Sequence, residues 1–379
     1  MSITGSVRGS RPGAQREARR LSLWVSALTA GLLALGFTRS RYAAPSRRAA
    51  AQPPSVERGQ GATSGHGRGR SAAAPSEIPA RGWKDILLRI YDNIGEDRIV
   101  LVAAGVTFYS LLAIFPAIAA LVALYGLFAD PSHIAAQVDS LSGVLPGGAL
   151  DIVREQMNRV AAQGQTKLGV AFIVGFLVSL WSANAGIKSI FDALNLVYDE
   201  REKRGLIKLN LVSLAFTTGA ILFVLLAIGC VIALPAVFSS MGMASATALI
   251  AKIARWPILL IVIALALAFV YRFGPSRAEP KWRWITWGSA FAAVGWIAVS
   301  ILFSWYAANF GSYNKTYGSL GAVVGFMMWL WLSTVVILLG AELDAEMEHQ
   351  TARDTTTGGA KPIGTRGATM ADTVGPAKS

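Results

Sequence analysis

The chain has 379 residues, 53% of them hydrophobic and only 15% charged, with a formal net charge of +13. That balance excludes an ordinary water-soluble domain and a disordered polyelectrolyte, and it belongs to the membrane class. The charge is not a nucleic-acid signature once it is located: 13 basic against 3 acidic residues lie in 1–82, and 22 against 19 in 83–379. The single cysteine, Cys230, rules out an intramolecular disulfide. His66, His133 and His349 are too scattered to read as a metal-ligand motif. No cofactor is expected.

The N-terminal region, 1–82, is basic and expected to be largely disordered, most clearly over 38–82, where Ala, Arg, Gly, Pro and Ser dominate. Inside it Leu21–Phe37 is an apolar stretch of 17 residues preceded by Arg16, Arg19 and Arg20. Three readings fit it: a signal segment, a short extra span, or an artefact of where the reading frame begins. No small-x-small cleavage site follows Phe37, and Arg39 and Arg41 leave its orientation open.

Trp83, Ile86, Leu87, Ile90, Tyr91 and Ile94 then recur at helical spacing, with Lys84, Asp85, Arg89, Asp92 and Asn93 on the other face. This predicts a short amphipathic helix, lying in the membrane interface or packed on the ends of a helix bundle.

The membrane domain, 83–349, carries six apolar segments: Ile99–Phe128, Leu168–Leu180 running on to Tyr198, Leu209–Leu234, Trp256–Phe273, Trp284–Asn309 and Leu320–Leu343. A bilayer core of about 30 Å needs roughly 20 helical residues. Unbroken runs such as Ile258–Ile263 lack the period-two alternation of a barrel strand, so each segment is a helix. The fold class is all-α, a polytopic six-helix transmembrane bundle with interfacial amphipathic helices. The long connection 130–167 predicts two short outer helices, and the tail 350–379 is expected to be disordered.

Orientation follows from the basic loops. Arg201, Lys203, Arg204 and Lys208 lie in one, and Arg272, Arg277, Lys281 and Arg283 in another. The positive-inside rule puts both, with residues 83–98 and the C-terminus, in the cytoplasm. Lys281-Trp282-Arg283-Trp284 with Trp287 fits an inner-leaflet anchor.

The second span carries the clearest polar stripe: Asn184, Lys188, Asp192 and Asn195 share one helix face. Polar groups in lipid are costly and point to a solute pathway or gate. The plainer alternative is that the helix runs on into the cytoplasm there, its polar groups paired to neighbours or water. Glu342 closes the last apolar run, with Lys188 or Arg98 as its expected partner, or as the start of a solvated acidic end. Gly318, Gly321 and Gly325 allow close helix approach, Pro116 bends or frees backbone in the first span, and 309–318 is a polar aromatic turn.

Four stretches resemble the YihY/BrkB family of bacterial inner-membrane proteins: Ala103–Leu112 running to Phe115-Pro116; Trp181–Asn184 with Phe191–Asn195; Tyr271–Pro275; and Asn309–Tyr313 through Gly318–Ala322 to Leu339–Glu346. At Asp344 the family more often has Asn. The resemblance implies six spans with both ends cytoplasmic, and little about activity, although some members carry a ribonuclease label. The expected function is a non-ATP-driven transporter or channel for a small polar solute or ion, with a non-transporting envelope scaffold as the alternative. No enzymatic activity and no specific nucleic acid are expected; the partners are the bilayer and the solute.

Overall fold

A computed structural model describes residues 67–125, 170–240, 244–309 and 319–378. The chain divides into Met1–Val56 and Glu57–Ser379, and every described residue belongs to the second unit. The Leu21–Phe37 segment, the outer helices of 130–167, and 310–318 of the polar turn lie outside the described residues.

A short amphipathic helix, α1 (Ala80–Glu96), precedes six long ones: α2 (Ile99–Tyr125), α3 (Val170–Val197), α4 (Leu206–Ser240), α5 (Ala244–Phe273), α6 (Thr286–Asn309) and α7 (Ser319–Gln350). Each long helix coincides with one predicted apolar segment. Among the described residues, four of these helices hold a stretch long and apolar enough to cross a membrane: Ile99–Ile118, Leu206–Leu225, Thr286–Ala307 and Val323–Gln350. A shorter apolar stretch, Pro257–Phe273, lies in α5. The outward side chains are apolar, with Leu101, Leu112, Leu211, Ile261 and Leu302 all more than half exposed. A water-soluble fold would not leave so wide an apolar surface bare. In lipid it costs nothing.

The bundle centres on α7, which packs against α1, α2, α3 and α6, while α4 is held mainly by α3. The largest core cluster joins Ile99 and Ala103 of α2, Leu194 of α3, Tyr271 of α5, Ala292 of α6 and Leu338 and Ala341 of α7. The tightest approach is between α6 and α7. A Cβ at Gly288 would lie 2.1 Å from the Gly340 carbonyl oxygen, and one at Gly340 would lie 2.6 Å from that of Gly288. Gly340 is not among the expected small-residue positions; of those, Gly325 is looser, its Cβ touching only Phe303 at 3.9 Å, Gly321 is buried, and Gly318 lies outside the described residues. α2 continues through Pro116.

Side-chain contacts bring the α3–α4 and α5–α6 loops, α1 and the end of α7 to one end of the bundle. The Lys203 N–H donates to Ser276 Oγ at 2.9 Å, Arg204 to the Gly274 carbonyl at 2.7 Å, and Arg277 to Glu348 at 2.8 Å.

Two expectations of disorder are corrected here. Residues 351–378 are ordered across this end, and so are 67–79 from the basic N-terminal region. The Ala352 N–H donates to the Arg70 carbonyl at 2.8 Å, and Thr351 Oγ1 to that of Ala72 at 2.7 Å. The Arg366 guanidinium reaches the carbonyls of Ala352, Lys361 and Ala371. Composition argues for disorder because so few apolar groups are available to bury. Here the polar groups find fixed protein partners instead.

Candidate functional site

The predicted stripe divides into two places. Asn184 and Lys188 lie on the seam between α3 and α4. Asn184 is fully buried and accepts a hydrogen bond from Thr217 Oγ1 at 3.2 Å, while its amide nitrogen has no partner among the described residues. One turn along, Lys188 Nζ donates to Asn210 Oδ1 at 2.5 Å and lies 5.3 Å from the centre of the Trp181 ring. Asn210 and Thr217 both fall within the apolar stretch Leu206–Leu225, so these polar groups meet inside a candidate span. The α3 periodicity that aligned Asn184 with Lys188 is matched by Asn210, Ser213 and Thr217 on α4, a second stripe that sequence reading missed. Its signal was there: three polar residues at helical spacing in an otherwise apolar run.

Asp192 is exposed. Asn195, in the last turn of α3, binds the loops: its Oδ1 accepts the Ser276 N–H at 2.7 Å, and its Nδ2 donates to Glu202 at 3.2 Å. Burial alone would raise the Glu202 carboxyl, but hydrogen bonds from Arg204 and Ser276 outweigh it and hold the group down at about 2.

Glu342 meets an asparagine of α1. It is fully buried and accepts a hydrogen bond from Asn93 Nδ2 at 2.5 Å. The amphipathic helix α1 explains this. It lies against the end of α7 with Asp85, Arg89 and Asn93 buried, while Leu87 and Tyr91 are 59% and 53% exposed. Its buried side thus carries both Asp85, Arg89 and Asn93, set against the acidic turns of α7, and Ile86, packed with Trp284 and Met347. Asn93 also donates to Glu346 at 2.8 Å, and Arg89 pairs with Glu346 through its Nε. Arg68 grips Asp85 at 2.6 Å. Burial alone would raise the Asp85 carboxyl, but the hydrogen bonds from Arg68 and the Lys378 N–H prevail and lower it.

Beneath this layer Arg277 and Glu348 form a fully buried pair with two hydrogen bonds, at 2.8 and 3.1 Å. The guanidinium also stacks 4.0 Å from the Tyr198 ring centre, and Thr355 Oγ1 donates to Glu348 at 2.9 Å. The acidic end of α7 is therefore buried, with Glu342, Glu346 and Glu348 hydrogen-bonded, and is not a solvated helix terminus. Among the described residues no three His, Cys, Asp or Glu side chains are grouped to hold a metal ion.

Asp344 differs from its neighbours. One oxygen accepts the Gly288 N–H at 2.7 Å, capping the first turn of α6 from α7, and the other has no partner among the described residues. A buried carboxylate with half its acceptors unmet is costly. Asp344→Asn keeps the acceptor and removes the charge, so it should preserve folding or stabilise it by about 1 kcal/mol. A detergent melt of the purified variant checks this, and a clear loss of stability would assign the carboxylate a partner of its own.

The long apolar helices and outward lipid-compatible surface define an integral helical membrane protein. A family model described as "Virulence factor BrkB" matches residues 90–363, and the chain belongs to that family. It is 28% identical over 255 residues to the ribonuclease-like protein YfkH of Bacillus subtilis, a match covering 64% of this chain and 88% of that one. Over 280 residues it is 25% identical to a UPF0761 membrane protein of Methylibium petroleiphilum, covering 73% of this chain and 66% of the relative. A UPF0761 membrane protein of Neisseria meningitidis serogroup B is 28% identical over 290 residues, covering 73% and 65%. The chain thus spans about two thirds of the length of these last two relatives. No solved structure matches it.

Proposed function

We propose that this protein passes a small polar solute or ion across a bacterial inner membrane, along the polar seam between α3 and α4, without ATP hydrolysis of its own. The carrying observation is the pairing of Asn184 with Thr217 and Lys188 with Asn210 inside a candidate span. Polar side chains cost free energy in a bilayer and are kept where they line a path or contact a cargo. In this reading all six long helices span. The end that gathers the basic loops, α1 and the C-terminal tail faces the cytoplasm, in line with the positive-inside rule and its excess of Lys and Arg. The ordered strap of 67–79 and 351–378 then caps the inner mouth.

Purified protein reconstituted in liposomes should show flux of at least one small solute or ion, and Asn184→Ala or Asn210→Ala should change that flux several-fold while leaving expression intact. A C-terminal reporter should be cytoplasmic. Absence of flux over a broad panel would move the reading to a non-transporting envelope scaffold, for which the dense strapped end is the supporting feature.

The ribonuclease-like name of the Bacillus relative does not enter this reading. Phosphodiester hydrolysis draws on metal-binding or acid–base groups free to engage a substrate. The carboxylates of Glu342, Glu346 and Glu348 are committed to Asn93, Arg89 and Arg277.

A further inference from the structure

We infer that the α3–α4 seam selects anions. The inference rests on the seam being a functional site, and it adds the sign of the charge.

Lys188 sets that sign. Its two partners, the Asn210 amide oxygen at 2.5 Å and the Trp181 ring at 5.3 Å, are both neutral. The cations of the neighbouring loops are compensated differently: Arg204 pairs with Glu202, Lys203 with Glu200 and Arg277 with Glu348. Among the described residues no carboxylate lies within ion-pair distance of Lys188. Asp192, one turn nearer the loop, is exposed; the Lys188 charge acts on it through space, but the two make no ion pair. A half-buried ammonium with no carboxylate in contact, beside an apolar helix surface, is a site that a small anion would complete.

Asn184 adds a donor. It lies one turn deeper on the same face, fully buried, with its carbonyl engaged by Thr217 and its amide nitrogen unpartnered among the described residues. The unused hydrogen-bonding capacity at both residues is therefore N–H, which suits chloride, a small carboxylate or a phosphate oxygen. The phosphate of an anionic lipid offers the same chemistry. Trp181, more than half exposed beside Lys188, leaves the seam open to such a headgroup.

Two measurements on the full-length protein separate these sources. In phosphatidylcholine vesicles, chloride and acetate flux is compared with potassium flux for wild type, Lys188→Gln, Lys188→Glu and Lys188→Arg. In detergent, retention of phosphatidylglycerol is followed by native mass spectrometry for the same set. Melting curves establish that each variant is folded.

The expected result is anion flux that falls at least tenfold in Lys188→Gln, turns toward potassium in Lys188→Glu and survives in Lys188→Arg. Phosphatidylglycerol retained by wild type and Lys188→Arg but lost from Lys188→Gln would assign the anion to lipid phosphate; with no flux of any probe, it would sustain the anion site while the transport reading fell. Potassium flux in wild type that is unchanged or raised in Lys188→Gln would overturn anion selection and leave transport standing. No flux, together with lipid retention indifferent to residue 188, would overturn both.

Discussion

Gly288→Ala should lower the melting temperature of the detergent-purified protein more than any other single methyl added to a described helix. The added carbon would sit 2.1 Å from the Gly340 carbonyl oxygen and 2.4 Å from Asp344 Cγ. The first of these neighbours is backbone, so no rotamer change relieves the contact. The helices must part, which loosens Ala292 and Ala341 in the main core and stretches the Gly288 N–H hydrogen bond to Asp344. Overpacking of this kind costs about 3 kcal/mol or more when backbone has to move. Gly219→Ala on α4 is the control, because a Cβ there meets nothing within 4 Å. Equal melting of the two variants would mean that α6 and α7 separate without cost, contrary to the packing described.

Arg277→Met should be about as damaging, for an electrostatic reason. Arg277 and Glu348 are both wholly buried, and the arginine supplies both charge-assisted hydrogen bonds from that side. Removing it strands the Glu348 carboxylate with the Thr355 hydroxyl as its remaining described donor. Breaking one side of such a pair costs about 3–5 kcal/mol, whereas replacing both partners with apolar groups is often close to neutral. The double variant Arg277→Met/Glu348→Met should therefore recover much of what Arg277→Met loses. Melting curves of the wild type, Arg277→Met, Glu348→Met and the double variant decide the matter. If the double variant is as unstable as the sum of its parts, the Tyr198 stack, and not charge compensation, is what Arg277 provides.

Half of the candidate site was legible in advance. Asn184 and Lys188 stood out because α3 repeats them on one face of an apolar helix, and lipid makes any such stripe conspicuous. Their partners on α4 went unread because Asn210, Ser213 and Thr217 are mild interruptions whose meaning depends on what faces them. Glu342 was singled out as unusual, but its hydrogen bond from Asn93 was not foreseen. Its partner Asn93 lies on α1, 249 residues away in sequence, and no local pattern says which face of an amphipathic helix turns inward. Asp85 and Arg89 were read as α1's polar face with no partner named, and Arg277 only as a positive loop charge. Buried pairing is a property of two distant segments at once.

What the chain determined unaided is what lipid imposes. Unbroken apolar runs have to be helices, because only helices satisfy their own backbone in a bilayer, and each such run has become one long helix in the place expected. Tertiary structure alone decided where the polar groups went. It turned the charged face of α1 onto the acidic turns of α7, and it ordered two compositionally disordered segments by tying Arg68 to Asp85 and Arg70 to the Gly375 carbonyl at 2.5 Å. It also set the tightest helix contact at Gly288 and Gly340, which no spacing had marked. Hydrophobic burial is additive along a sequence and can be summed from residue types. A buried hydrogen bond or ion pair exists only when both partners arrive, and that requires the fold.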